Sequence, residues 1–201
     1  MPKSGIYNGG LTREQFLFYE IRIVARLICE GLERDEILIK IKSENLFQFP
    51  TEKMNNNITA ACFKRIDALG QESLVYQLAY GPQEVAKQIN LYAMMRYNRI
   101  VWDFMVSVIG EKYRTQDFSF SKKDLNLFFM YLQEQDDSVA TWTDATIKKL
   151  KQVLQKMIYE CGYINSTNAE TLNPVYLYPE LEEGMRANND TAAFVAFNYF
   201  G

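Results

Sequence analysis

Lys148, Lys149, Gln152, Gln155 and Lys156, with Lys151 at the margin, fall on one side of a single helical stretch, residues 143–162 (TDATIKKLKQVLQKMIYECG). At about 100° of rotation per residue, Ile147, Leu150, Leu154, Met157, Ile158 and Cys161 collect on the other side. A row of ammonium groups of this kind can lie against phosphate, so the chemistry it points to is binding. Solvated surface has the same composition, and on this helix alone the two readings stand level.

Groups suited to covalent or proton-transfer chemistry are sparse. The 201 residues include no histidine, the side chain most used as acid and base near neutral pH and the commonest metal ligand. No GxxxxGK[ST], GxGxxG or GxSxG pattern occurs, and no spaced acidic metal loop. Cys29, Cys62 and Cys161 are odd in number and far apart, which suggests neither a disulfide framework nor a zinc site and fits a reducing cytoplasm. No metal and no cofactor is expected, and an enzyme built on Glu20 or Asp103 is the least favoured reading.

A hydrophobic content of 48% with 14% aromatics is enough for a real core. The balance of 22 Lys plus Arg against 25 Asp plus Glu, a net charge of -3, provides no global positive field, so nucleic acid would have to meet a local patch. The amino-terminal stretch MPKSGIYNGG lacks the apolar core of a signal peptide, and nowhere do about 20 apolar residues follow one another, so no membrane span is expected. The apolar TAAFVAFNYFG is too short to span and is expected to pack as a strand or a last helical turn.

The elements that would position these groups are mostly helices. Thr12 with Gln15 makes a capping-box pattern and predicts a helix to about Glu30, stopped by Gly31. A second helix is predicted over ERDEILIKIKSEN, and Thr51 caps a third over about 52 to 69, ending at Gly70. This pair could be a helix-turn-helix or any helical hairpin, and Lys53, Asn56, Asn57 and Lys64 face outward on it as possible phosphate or base contacts. Two charges interrupt the apolar stripes. Glu20 projects within about 40° of Phe16, Val24 and Leu27, and Arg65 sits among Ile58, Cys62 and Leu69. A lone buried charge is costly, so an architectural Glu20–Arg65 ion pair is predicted.

A short helix over 73–80 leads to Pro82 and a long spine, either one helix or two joined near Tyr97 and Asn98. Arg96 and Arg99, around Tyr97, could meet nucleic acid or pair with carboxylates at the edge of the core. Ser121 and Asp124 form a capping box for a helix through Gln135, whose first residues Lys122 and Lys123 could extend a basic patch. After Gly162, the ends of GYI and PVYLYP around NSTNAETLN read as a β-hairpin, followed by a short helix over 179–187. The expected fold is mainly α, a helical bundle with helix-turn-helix-like elements and a small C-terminal hairpin in winged-helix order. It divides into residues 1–116 and 117–201, packed as one compact unit.

Several of these stretches occur in an order that resembles the BrxA family, small proteins encoded in bacteriophage-exclusion loci. They are YEIRIVARLICEGLERDEI, SENLFQFPT, KQINLYAMMRYNRIVWDFMVSVIGEKY and ATWTDATIKKLKQVLQKMIYECGYI. The likeness runs from about Leu11 to Leu181 and rests on Glu20, Arg22 and Ala25, on Asn45 and Leu46, on Tyr97, Asn98, Arg99, Asp103 and Phe104, and on Trp142 with Thr146 and Lys149. The resemblance implies a non-catalytic, helical DNA-binding protein that acts with other exclusion-system components. Members have been likened in fold to RNA-binding antitermination factors, which keeps RNA open as a ligand, and an interaction scaffold is the other alternative. The inner-membrane label carried by some relatives does not fit a chain with no expected span.

Overall fold

The computed structural model describes residues 5–201, so residues 1–4 of the stretch read for a leader lie outside it. Among the described residues eleven α-helices form and no β-strand does. Helix α5 (Gln83–Tyr97) is the spine: every residue from Gln88 to Met95 on it is buried. Helices α1 (Phe18–Cys29), α3 (Glu52–Leu69) and α4 (Glu72–Tyr80) pack around it, with α2 (Arg34–Ser43) outside α3. Of the two arrangements open for the spine, two helices joined near Tyr97 and Asn98 is the one found. Asn98 is extended, with φ -125° and ψ 117°, and its side chain accepts the Ile100 N–H at 3.0 Å, so a new helix α6 (Arg99–Phe104) starts at once.

Helix α6 continues through a π-helical turn, Met105–Gly110, into α7 (Glu111–Arg114). The C-terminal TAAFVAF segment folds as a 3-10 helix, Thr191–Phe197, on that turn. The close approach requires Gly110, because a Cβ there would come within 2.6 Å of Val195. Helices α8 (Lys122–Gln135), α9 (Asp137–Ala140) and α10 (Asp144–Glu160) follow, and α11 (Pro179–Ala187) returns to α4 and α5. Phe104 of α6 meets Phe128 of α8 edge-on, with ring centroids 5.5 Å apart.

Three sequence expectations fail, each for a traceable reason. The hairpin does not form: among the described residues no backbone hydrogen bond links GYI to PVYLYP, and the one nearby, Asn173 N–H to Tyr163 C=O at 2.7 Å, comes from the connecting stretch. The segment pairs elsewhere, in an isolated bridge between Ser119 and Thr171, while Gln88 of α5 satisfies the backbone of Tyr176 and Tyr178. Pro174 and Pro179 bring no N–H to a ladder, so the winged-helix order is not realised. The first helix begins five residues late, at Phe18 rather than after Thr12, whose hydroxyl instead bonds the carbonyl of Gly9 in a short 3-10 turn, Gly9–Thr12.

That delay and the third correction have one cause. Arg65 is fully buried on α3, as its place in an apolar stripe required, but among the described residues it makes no ion pair with Glu20. Its guanidinium donates to three successive backbone carbonyls, those of Glu14, Gln15 (2.7 Å) and Phe16 (3.1 Å). Those carbonyls would have carried the first turns of a helix starting at Thr12. Asn90 of the spine adds a 2.7 Å bond to the Phe16 carbonyl. Arg65→Leu strands buried acceptors and is expected to lower the unfolding free energy by about 3 kcal/mol. Glu20→Gln is expected to change it by less than about 0.5 kcal/mol. Urea unfolding followed by circular dichroism measures both, and equal losses would restore the ion pair.

Candidate nucleic-acid interface

Helix α10 forms as its sequence dictates. The Thr143 hydroxyl accepts the Thr146 N–H at 3.2 Å, and Gly162, at φ +78°, ends the helix with paired returns to Tyr159 and Ile158. Ile147, Leu150, Leu154, Met157 and Ile158 are buried, together with Val153, and Cys161 is half-buried. Lys148, Lys149, Gln152 and Lys156 are exposed, while Lys151 and Gln155 are half-buried at the edge. Neither a hydrogen bond nor an ion pair engages Lys148, Lys149 or Gln152 among the described residues.

Neighbouring elements extend this face on both sides. Helix α8 lies antiparallel beside α10, with Lys151 Nζ donating to Asn126 at 2.8 Å and standing 5.8 Å from the Phe129 ring centre. The same arrangement brings Lys122 and Lys123 to Gln155, around a hollow of about 370 Å³ shared with the 167–170 loop. On the other side the 13–15 segment runs against the end of α10. There Lys156 Nζ lies 3.3 Å from the Gln15 side-chain oxygen and 3.6 Å from Glu160, and the exposed Arg13 borders the same groove of about 550 Å³.

Other candidate residues stand elsewhere. Arg96 is 11% exposed and spent on Asp190 (2.6 Å) and the Tyr92 hydroxyl (3.0 Å). Burial raises the Tyr92 phenol to about 12, so the hydroxyl stays a neutral donor to Asp190. Arg99 covers the Tyr7 ring at 4.2 Å and pairs with Asp103 at 3.4 Å. Lys53, Asn56 and Lys64 are exposed together along α3, apart from the α10 face and among Glu52 and Asp67, which pair with Lys42 and Arg34. Glu20, half-buried, lies on the groove beside Lys156 and Glu160.

Sequence reasoning missed two residues on this surface. Tyr159, 45% exposed, projects between Lys148 and Gln152, and the same helical projection that found the lysines would have found it. Arg13 carried no such signal, because it lies outside any helix and reaches the patch only through the fold.

Four acidic residues lie together on the far side of α8. A cavity of about 780 Å³ there is bordered by Asp103, Glu111, Asp117 and Asp124, and Lys112 bridges the last two at 3.0 Å each. Burial opposes the Lys112 charge, but the bonds to Asp124 and Asp117 outweigh it and raise its pKa. The Ser119 hydroxyl and Lys112 hold Asp117 down at about 2. These four carboxylates lie away from Lys148 and Lys149, whereas Glu160 stands at the end of α10 beside Lys156. Burial also pushes the Cys62 thiol up to about 12 and that of Cys161 well above its ordinary value, so neither supplies a thiolate at neutral pH. No group of His, Cys, Asp and Glu suited to a metal ion occurs among the described residues, and no helix there is long and apolar enough to cross a membrane.

Comparison with known proteins places this geometry in a lineage. The family model described as BrxA matches residues 5–189. A protein named BREX protein BrxA from Bacillus cereus (strain H3081.97) is 32% identical over 192 residues, covering 94% of this chain and 95% of its own. Another of that name, from Paramagnetospirillum magneticum (strain ATCC 700264 / AMB-1), is 25% identical over 171 residues, with 85% of each chain covered. A crystal structure of an uncharacterized protein from Magnetospirillum magneticum shares the fold, with a TM-score of 0.81 and 21% identity over 95% of this chain and 97% of that one. Matched along nearly its whole length by sequence and by fold, the chain belongs to the BrxA family.

Proposed function

We propose that this protein is a non-enzymatic DNA-binding accessory component of a BREX phage-defence system, acting in the cytoplasm alongside other proteins of that system. The defence role rests on the relatives named BREX protein BrxA. The DNA-binding role rests on one observation: the α10 face carries Lys148 and Lys149 with no anionic partner, flanked by Lys122 and Lys123 on one side and Arg13 on the other. Duplex DNA presents one phosphate per ~1.7 Å of axis, and such a row of cations binds it by releasing counterions. Contacts of this kind position the duplex without reading its sequence.

The α3 face with Lys53, Asn56 and Lys64 is the other candidate, with Glu52 and Asp67 beside its cations as Glu160 stands beside Lys156 on α10. A second reading, a docking scaffold for partner proteins, draws on exposed Tyr76 and Tyr80, whose rings lie 5.1 Å apart on α4. Competition by duplex RNA against duplex DNA separates the RNA-binding alternative.

Replacing Lys148, Lys149 and Lys156 together by alanine tests the DNA reading. Titrating duplex DNA at two salt concentrations is expected to show weaker binding and a log-log salt slope shallower by about three units, close to one per lost contact. Unchanged affinity and slope overturn the reading.

A further inference from the structure

The groove of about 550 Å³ at the end of α10 is walled by aromatic and aliphatic side chains left partly open to solvent. Tyr19 is 59% and Met54 42% exposed, and Phe18, Phe49 and Ile58 are half-buried beside them. Its rim is polar: Arg13 and Lys156 carry positive charge, and Gln15, Glu20 and Glu160 offer acceptors. Leu17, on its wall, holds the left-handed conformation at φ 51°, a strained state for a leucine and one that collects at binding sites. The groove is continuous with the lysine face, because Lys156 belongs to both.

We infer that this groove receives an unpaired nucleotide of the nucleic acid bound on α10, its base against the Tyr19–Phe18 wall and its phosphate toward Arg13 and Lys156. The inference rests on the DNA-binding reading above and adds a ligand class to it. Aromatic walls accept any base by stacking, and a groove with cations along its edge tracks a single strand. An aliphatic protein segment would use the apolar wall but would leave Arg13 without an anion, whereas Lys156 already has Glu160 at 3.6 Å. The Glu20 carboxylate accepts hydrogen bonds, and it favours cytosine, adenine and guanine, whose exocyclic amines donate, over thymine, whose one ring N–H lies between two carbonyls that a carboxylate repels.

The test uses a hairpin duplex carrying one unpaired 2-aminopurine, compared with the blunt, fully paired hairpin and with hairpins in which the unpaired base is cytosine or thymine. The full-length protein is expected to bind the unpaired-cytosine hairpin tighter than the blunt one by roughly tenfold, the order of one aromatic stack. It is also expected to favour cytosine over thymine and to quench 2-aminopurine fluorescence. Tyr19→Ala, at an exposed position, should erase the preference and the quenching while leaving blunt-duplex affinity unchanged, and Tyr19→Phe should restore both. A Lys148→Ala, Lys149→Ala double variant, which leaves the groove intact, should weaken all hairpins with the blunt-to-unpaired ratio kept. Equal affinity for paired and unpaired hairpins, or a preference that survives Tyr19→Ala, overturns the inference even where duplex binding is strong. Binding of the unpaired hairpins without the blunt one keeps the groove and removes the duplex reading instead.

Discussion

A buried guanidinium organises the amino-terminal half of this protein. Arg65 reaches out of α3 to the carbonyls of Glu14, Gln15 and Phe16, and Asn90 of the spine seconds the last of these. With three adjacent carbonyls turned to one side chain and Leu17 left-handed after them, the chain stays irregular there and α1 waits until Phe18. The consequence reaches the binding surface. The same irregular segment presents Arg13 outward and lays Gln15 against Lys156, so the clasp that closes the core also builds one edge of the basic face.

The second constraint is the separation of charge. With 22 cationic and 25 anionic side chains, attraction for phosphate can come only from placement. The fold supplies it through α8, which turns Lys122 and Lys123 toward α10 and Asp124 toward the cavity where Lys112 is paired. Cations that the core needs are spent internally: Arg96 on Asp190 and Tyr92, Arg99 on Asp103 and Tyr7. The cations left outward on α10 without a partner among the described residues are Lys148 and Lys149.

Local signals in the sequence translated well into structure. The Thr51 cap and Gly70 stop, the Ser121–Asp124 capping box and Thr143 with Gly162 all act within a few residues of backbone, and all are realised, while the cap at Asn98 decides between the two arrangements left open for the spine. The buried stripe of α10 followed from helical periodicity in the same way. What was illegible depends on partners far along the chain. Arg65 bonds backbone about fifty positions away, and Gln88 occupies the backbone of a would-be strand about ninety positions away, so neither the late start of α1 nor the missing hairpin leaves a local trace. Glu20 and Arg65 have opposite signs, but carbonyl oxygens, which no sequence pattern marks, are the acceptors the guanidinium uses. Arg13 likewise joins the α10 face only in three dimensions.

The most direct measurement is lysine acylation of the full-length protein, read by mass spectrometry with and without saturating duplex DNA. Protection of Lys148, Lys149, Lys156, Lys122 and Lys123, with Lys53 and Lys64 reacting as in the free protein, is the expected result. Protection of Lys53 and Lys64 with α10 left reactive would place the nucleic acid on α3 and contradict it.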